Sequence, residues 1–139
     1  MFAAALLAGV AAGAAGCGPT PTSPSVSVPF SLTDLRLGTG ADAVSGKTLT
    51  ANYTGWLYDS TKSDLKGLLF ETSVGGVPIS FTLGAGAVIS GLERGMDGMK
   101  VGGARRVVIP PSLGYGISRN GPIPPFATLI FEVELLDAQ

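Results

Sequence analysis

From Phe30 to the C-terminus, hydrophobic and polar residues alternate in short runs, the spacing of half-buried strands. Ala127–Leu136 (ATLIFEVELL) places Leu129, Phe131, Val133 and Leu135 on one face and Thr128, Ile130, Glu132 and Glu134 on the other, so one side is expected in a core and the other largely in water. Lys47–Tyr58 (KTLTANYTGWLY) likewise sets Leu49, Ala51, Tyr53 and Leu57 against Thr48, Thr50, Asn52 and Thr54. Ala104–Ile109 reads as a third strand, ended by Pro110-Pro111, because proline cannot donate a ladder hydrogen bond. Leu32–Leu37, Leu68–Glu71 and Ile79–Leu83 are shorter strand candidates. Half-buried strands punctuated by glycine predict an antiparallel sheet.

Only one segment has helical spacing. Leu92, Met96 and Met99 share a face, and Gly98 or Gly102 offers a stop. Ser90-Gly91-Leu92-Glu93 has the spacing of a capping box, in which the serine hydroxyl and the glutamate carboxylate satisfy each other's backbone N–H groups. A helix of about two turns is unstable alone in water, so it is expected to pack on the sheet. The fold class is therefore α+β.

Charge and composition narrow the chemistry. All charged residues, 9 Lys/Arg and 10 Asp/Glu, fall at or after Asp34, and the net charge is −1. No basic excess exists to hold a phosphate backbone, so nucleic acid is not an expected partner. With His 0 and Cys 1, imidazole-based catalysis, an internal disulfide and thiolate metal clusters are excluded. Neither a metal nor a cofactor is expected.

The uncharged part divides in two. Residues 1–17 (MFAAALLAGVAAGAAGC) look like the apolar core of a secretory signal, without the usual leading Lys or Arg. They are short for a membrane span, which needs about 20 apolar residues. Ala14-Ala15-Gly16-Cys17 resembles a bacterial lipoprotein cleavage box, with Ala where Leu is usual, and marks Cys17 as the lipidation candidate. A plain signal peptide that removes Cys17 is the alternative. Residues 18–29 (GPTPTSPSVSVP) have the composition of an extended tether. The expected order is signal 1–17, linker 18–29 and a domain over 30–139. This makes the product exported and periplasmic, and its only membrane attachment a lipid anchor.

The aromatic residues Tyr53, Trp56, Phe70, Phe81, Tyr115, Phe126 and Phe131 are spread over the strands and one loop. If the sheet curls over the helix, the inward ones converge on an apolar pocket, the usual form of a small-ligand site. By periodicity alone, Phe81 and Phe131 read first as core. Leu113–Pro125 (LGYGISRNGPIPP) is too long and too rich in Gly and Pro for a hairpin turn, and ordered loops of that length are often functional.

Tyr53-Thr54-Gly55, Phe70, Val88-Ile89 before a short helix, Gly114-Tyr115-Gly116, Ile123-Pro124-Pro125 and the ending Ala127–Leu136 resemble an FKBP-type peptidyl-prolyl cis–trans isomerase, in that family's order. The resemblance implies a five- or six-stranded antiparallel sheet wrapped around one short helix, with the active pocket between them. It also implies proline-containing polypeptides as substrates and macrolides as inhibitors; with no dimerisation helix read ahead of the domain, a monomer is expected. Carried over by position, Phe70, Val88, Ile89, Leu92 and Phe131 are the pocket walls. Tyr115 and the Ile89 N–H are hydrogen-bond donors to a bound peptide, and Tyr53 and Glu71 form the polar rim. Ile79, Phe81 and Ile123 are further substrate contacts. Three positions depart from the family: Leu92 replaces a tryptophan, Ile79 an aromatic residue and Glu71 an aspartate. The arginine that pairs with that aspartate has no counterpart in Thr72–Gly76. The insertion Asp59–Gly67 is expected beside the pocket mouth. Leu92 and Glu71 are the features favouring the runner-up, a chaperone module that binds proline segments without turnover.

Overall fold

The structure is a computed structural model and describes residues 28–139; the apolar leader, Cys17 and most of the tether lie outside the described residues. The elements are β1 Ser31–Arg36, β2 Thr48–Tyr58, β3 Lys66–Thr72, β4 Ile79–Thr82, α1 Ser90–Met96, β5 Ala104–Ile109, a 3-10 turn at Pro111–Leu113, and β6 Leu129–Ala138. They form an antiparallel six-stranded sheet in the order β1-β5-β6-β2-β3, with β4 also paired to β2.

One edge of β2 is shared. Its Thr54–Tyr58 half pairs with β3 and its Thr48–Ala51 half with β4. Buried Ser73 fills the fork between them. Its Oγ accepts from the Tyr53 N–H at 2.9 Å and reaches Asn52 Oδ1 at 3.1 Å, while its own N–H donates to the Tyr53 carbonyl at 2.9 Å. These bonds fix Tyr53 where the sheet divides.

The alternation in β6 holds on its inner face: Leu129, Phe131, Val133 and Leu135 are all buried. The outer face is drier than expected, because Ile130 is also fully buried. Its cross-strand neighbours are Trp56 and Val108, two further apolar side chains on that face. Beside them Glu132 accepts from Lys66 at 2.7 Å and Arg106 at 3.0 Å, and the Lys66 ammonium lies 4.2 Å from the Trp56 ring centre. Burial alone would raise the Glu132 carboxyl, but hydrogen bonds and charge from Lys66 and Arg106 outweigh it and hold the group below the usual carboxylate range.

The helix differs from its expected form at both ends. Ile89 is the capping residue and no side chain caps it; the Ile89 carbonyl accepts from the Leu92 and Glu93 N–H groups. Ser90 already lies inside the first turn, so its hydroxyl cannot play the cap, and the Glu93 carboxylate instead accepts from the Gly86 N–H at 2.9 Å. The helix stops at Met96, with Asp97 extended at ψ 129°, leaving Met99 to enter the core from the following turn. Arg105 closes that end. It donates to the carbonyls of Gly95 at 2.9 Å and Asp97 at 3.2 Å, and pairs with Asp34 at 2.8 Å.

Glycine lets the helix lie directly on β5. A Cβ added at Gly95 would stand 2.7 Å from Val107 Cγ2, and one at Gly91 would overlap Ile109. Leu92, Met96 and Met99 complete a core with Leu49, Ala51, Val107, Ile109 and the inner face of β6.

Candidate active site

A cavity of about 410 Å³ opens between the inner face of the sheet and the segment leading into α1. Tyr53 from β2, Glu71 from β3, Ile79 from β4, Gly86–Ile89, Leu92 from α1, Tyr115 from the loop after the 3-10 turn, and Phe131 from β6 line it. Residues far apart in sequence thus meet because strand alternation turns each inward and the glycine-faced helix sits close above them.

The aromatic part is built in two layers. Phe131 lies on the wall at 2% exposure, with Phe70 edge-on to it at 5.6 Å between ring centres and 84° between planes, and Tyr53 tilted at 6.2 Å. Gly55 makes room for the pair, since a Cβ there would stand 2.6 Å from Phe70 Cζ and 2.9 Å from Phe131 Cε1. Phe70, partly buried, therefore supports Phe131 from beside the wall.

Two other candidates also lie away from the wall. Phe81 shares the inward face of β4 with Ile79, but it pairs with Leu49, further along β2 from Tyr53, and is buried in the core. Ile123 exchanges backbone hydrogen bonds with Asn120, which closes the loop tip and tucks the Ile123 side chain into the core. No residue of the insertion Asp59–Gly67 lines the cavity. Lys66 and Gly67 extend β3, while Asp59 folds the preceding segment back by accepting from the N–H and hydroxyl of Thr61. Ser60 borders a different cleft, with Tyr58 and Pro124–Thr128.

Gly86 and Ala87 line the cavity although no periodic signal marks them. The run Gly84-Ala85-Gly86-Ala87 is the only hint in the sequence, small residues immediately before Val88-Ile89. Gly86 has φ +75°, a conformation that side chains rarely adopt, and its N–H is held by Glu93.

The polar groups gather on one rim. Burial pushes the Tyr53 phenol well above its ordinary range, and the Glu71 carboxylate adds to the shift as hydrogen-bond acceptor and as a negative charge. The Tyr53 hydroxyl thus stays a neutral donor at physiological pH. Tyr115 lines the same cavity, and among the described residues the Ile89 N–H makes no hydrogen bond. The Tyr53 and Tyr115 hydroxyls, the Ile89 N–H and one carboxylate therefore border an otherwise apolar space, the arrangement of a site that orients a ligand by a few polar contacts and binds it by shape.

Known proteins share both the sequence and the fold. Residues 40–136 match the profile of the FKBP-type peptidyl-prolyl cis-trans isomerases. An FK506-binding protein of Neisseria meningitidis serogroup B is 49% identical over 107 residues, which cover 76% of this chain and 92% of that protein. Among solved structures, FkpA from Escherichia coli matches with a TM-score of 0.67 at 37% identity, over 79% of this chain and 48% of FkpA. AtFKBP13 matches with a TM-score of 0.68 at 32% identity, over 79% of this chain and 93% of its own. A profile match across most of the described domain, on a six-stranded antiparallel sheet with one short helix, establishes that the chain belongs to the FKBP-type peptidyl-prolyl cis-trans isomerases.

Proposed function

We propose that the cavity between sheet and helix is where the isomerase acts, and that it works by favouring the twisted imide over either planar isomer. Rotation about an X–Pro bond is opposed by amide resonance, a barrier of roughly 18–20 kcal/mol between isomers within about 1 kcal/mol of each other. In the twisted state the carbonyl is less polarised, so an apolar enclosure disfavours it less than it disfavours the planar amide. The observation that carries this reading is the apolar wall of Val88, Ile89, Leu92 and Phe131 facing the Tyr53, Glu71 and Tyr115 rim. Tyr115 and the Ile89 N–H orient the peptide carbonyls. Lowering the barrier by about 5 kcal/mol corresponds to several thousandfold in rate, and no proton carrier is needed. The FK506-binding relatives support a macrolide as competitor for the same cavity.

A protease-coupled assay that cleaves only the trans isomer tests the proposal. Acceleration that a macrolide abolishes is the expected result. Peptide binding without acceleration would replace the isomerase reading of this cavity with the proline-binding module.

We further propose that the protein acts on exported polypeptides and is tethered through Cys17. The uncharged 1–17 stretch, the Ala14–Cys17 box and the Pro/Ser/Thr-rich 18–29 segment support this order. Intact mass of the protein recovered from membranes tests it: acyl chains on a Cys17 terminus are expected, and an unmodified terminus elsewhere contradicts the anchor.

A further inference from the structure

Glu71 is the only formal charge on the cavity wall. None of the ion pairs among the described residues involves it: Lys66 and Arg106 are taken by Glu132, Arg36 by Glu134, Lys100 by Asp42 and Arg105 by Asp34. The cation nearest in sequence, Lys66, lies on the outer face of the sheet against Trp56, and Arg119 of the loop after β5 is not a lining residue. The other carboxylate near this rim, Glu93, is engaged by the Gly86 N–H. Glu71 is exposed at the edge of the apolar wall, and with no cation paired to it the carboxylate projects a negative field across the mouth of the cavity.

We propose that Glu71 makes the site selective for prolines flanked by a lysine or arginine and against those flanked by a carboxylate. This inference rests on the cavity being the proline site and names the substrate class that site takes. Attraction of a cation and repulsion of an anion act in the same direction, so the preference is read as a ratio. For a partly exposed charge pair each change of one charge corresponds to about threefold, and lysine against glutamate to about tenfold.

The test measures cis–trans exchange by NMR, without a coupling protease, in two short peptide series. One varies the residue before proline and the other the residue after it, through lysine, N-acetyllysine and glutamate. In at least one series kcat/KM is expected to fall in that order, with the lysine-to-glutamate ratio collapsing towards unity in Glu71→Gln. In the wild-type protein the ratio is expected to shrink likewise in 1 M salt, where screening acts within about 3 Å; this arm stands even if the variant folds poorly. A flat charge series with active protein, or a ratio that survives both Glu71→Gln and salt, overturns the selectivity while leaving the cavity as the proline site. No acceleration of any peptide overturns the underlying reading instead.

Discussion

Replacing Glu93 with alanine removes the carboxylate that ties the cavity wall to the helix. The bond it breaks is charge-assisted and 2.9 Å long, from the Gly86 N–H to Glu93 Oε1. Such bonds contribute roughly 1.5–3 kcal/mol when well shielded. Glu93 is only half-buried, so about 1.5 kcal/mol, the lower end, is the expected loss. In a domain of this size that lowers Tm by about 5–10 °C. The loss is also local: Gly86 through Ile89 form one wall of the cavity, so freeing Gly86 should raise KM more than it lowers kcat. Glu93→Gln retains an oxygen acceptor without the charge and should recover about half of the lost stability. Thermal unfolding followed by circular dichroism, with kcat/KM on a Leu-Pro peptide, reads both effects. An alanine variant with wild-type Tm and turnover, or a glutamine variant as damaged as the alanine one, would refute the tie between helix and wall.

Other consequences follow from the site and its surroundings. Tyr115→Phe should reduce turnover about tenfold without unfolding the protein, and Phe131→Ala should also cost about 3–5 kcal/mol of stability. Arg119→Ala, on the exposed loop, should do neither; equal effects at all three positions would misplace the site. In a spectrophotometric alkaline titration Tyr53 should ionise last, a phase absent from Tyr53→Phe. Because its folded pKa is raised, its stabilising contribution is complete below the ordinary value of 10.0 and is lost as pH rises past it. Glu132 acts in the opposite direction. Its contribution is present above 4.5 and disappears as pH falls through its lowered folded value; Lys66→Met combined with Arg106→Met should flatten that part of the acid unfolding curve. Gly95→Val should push α1 off β5, because even a Cβ there meets Val107 at 2.7 Å, and should show as lost near-UV signal together with lost turnover.

The strands and the inner face of β6 were legible because alternation reports directly which side chains share a face. Burial of Ile130 was not, because its neighbours Trp56 and Val108 come from two other strands and register between strands is not written in any one of them. The capping box failed for a related reason. Ser90 and Glu93 have the required spacing, but the cap falls one residue earlier, at Ile89, with Ser90 already helical, and the glutamate accepts from Gly86 instead. Most of the cavity wall was legible through the family resemblance and not from periodicity, which assigned Phe131 to core alone. The resemblance also named Phe81 and Ile123 as substrate contacts; pairing with Leu49 and closure of the loop tip bury both in the core. Gly55 shows what a residue-type search misses most easily. Its function is to be absent as a side chain so that Phe70 and Phe131 can meet.

Proline isomerisation is proposed to take place in the cavity bounded by Val88, Ile89, Leu92, Tyr115 and Phe131. Exchange spectroscopy on an Ala-Leu-Pro-Phe peptide with a small fraction of isotope-labelled protein tests it most directly, since it reports the rate and the binding site together. Uncatalysed exchange takes tens to hundreds of seconds. Exchange in under about a second is expected, by the several-thousandfold acceleration of an about 5 kcal/mol lower barrier, with protein shifts centred on those five residues. Exchange as slow as in the free peptide, or shifts centred on the Tyr58–Phe126 cleft, would contradict it.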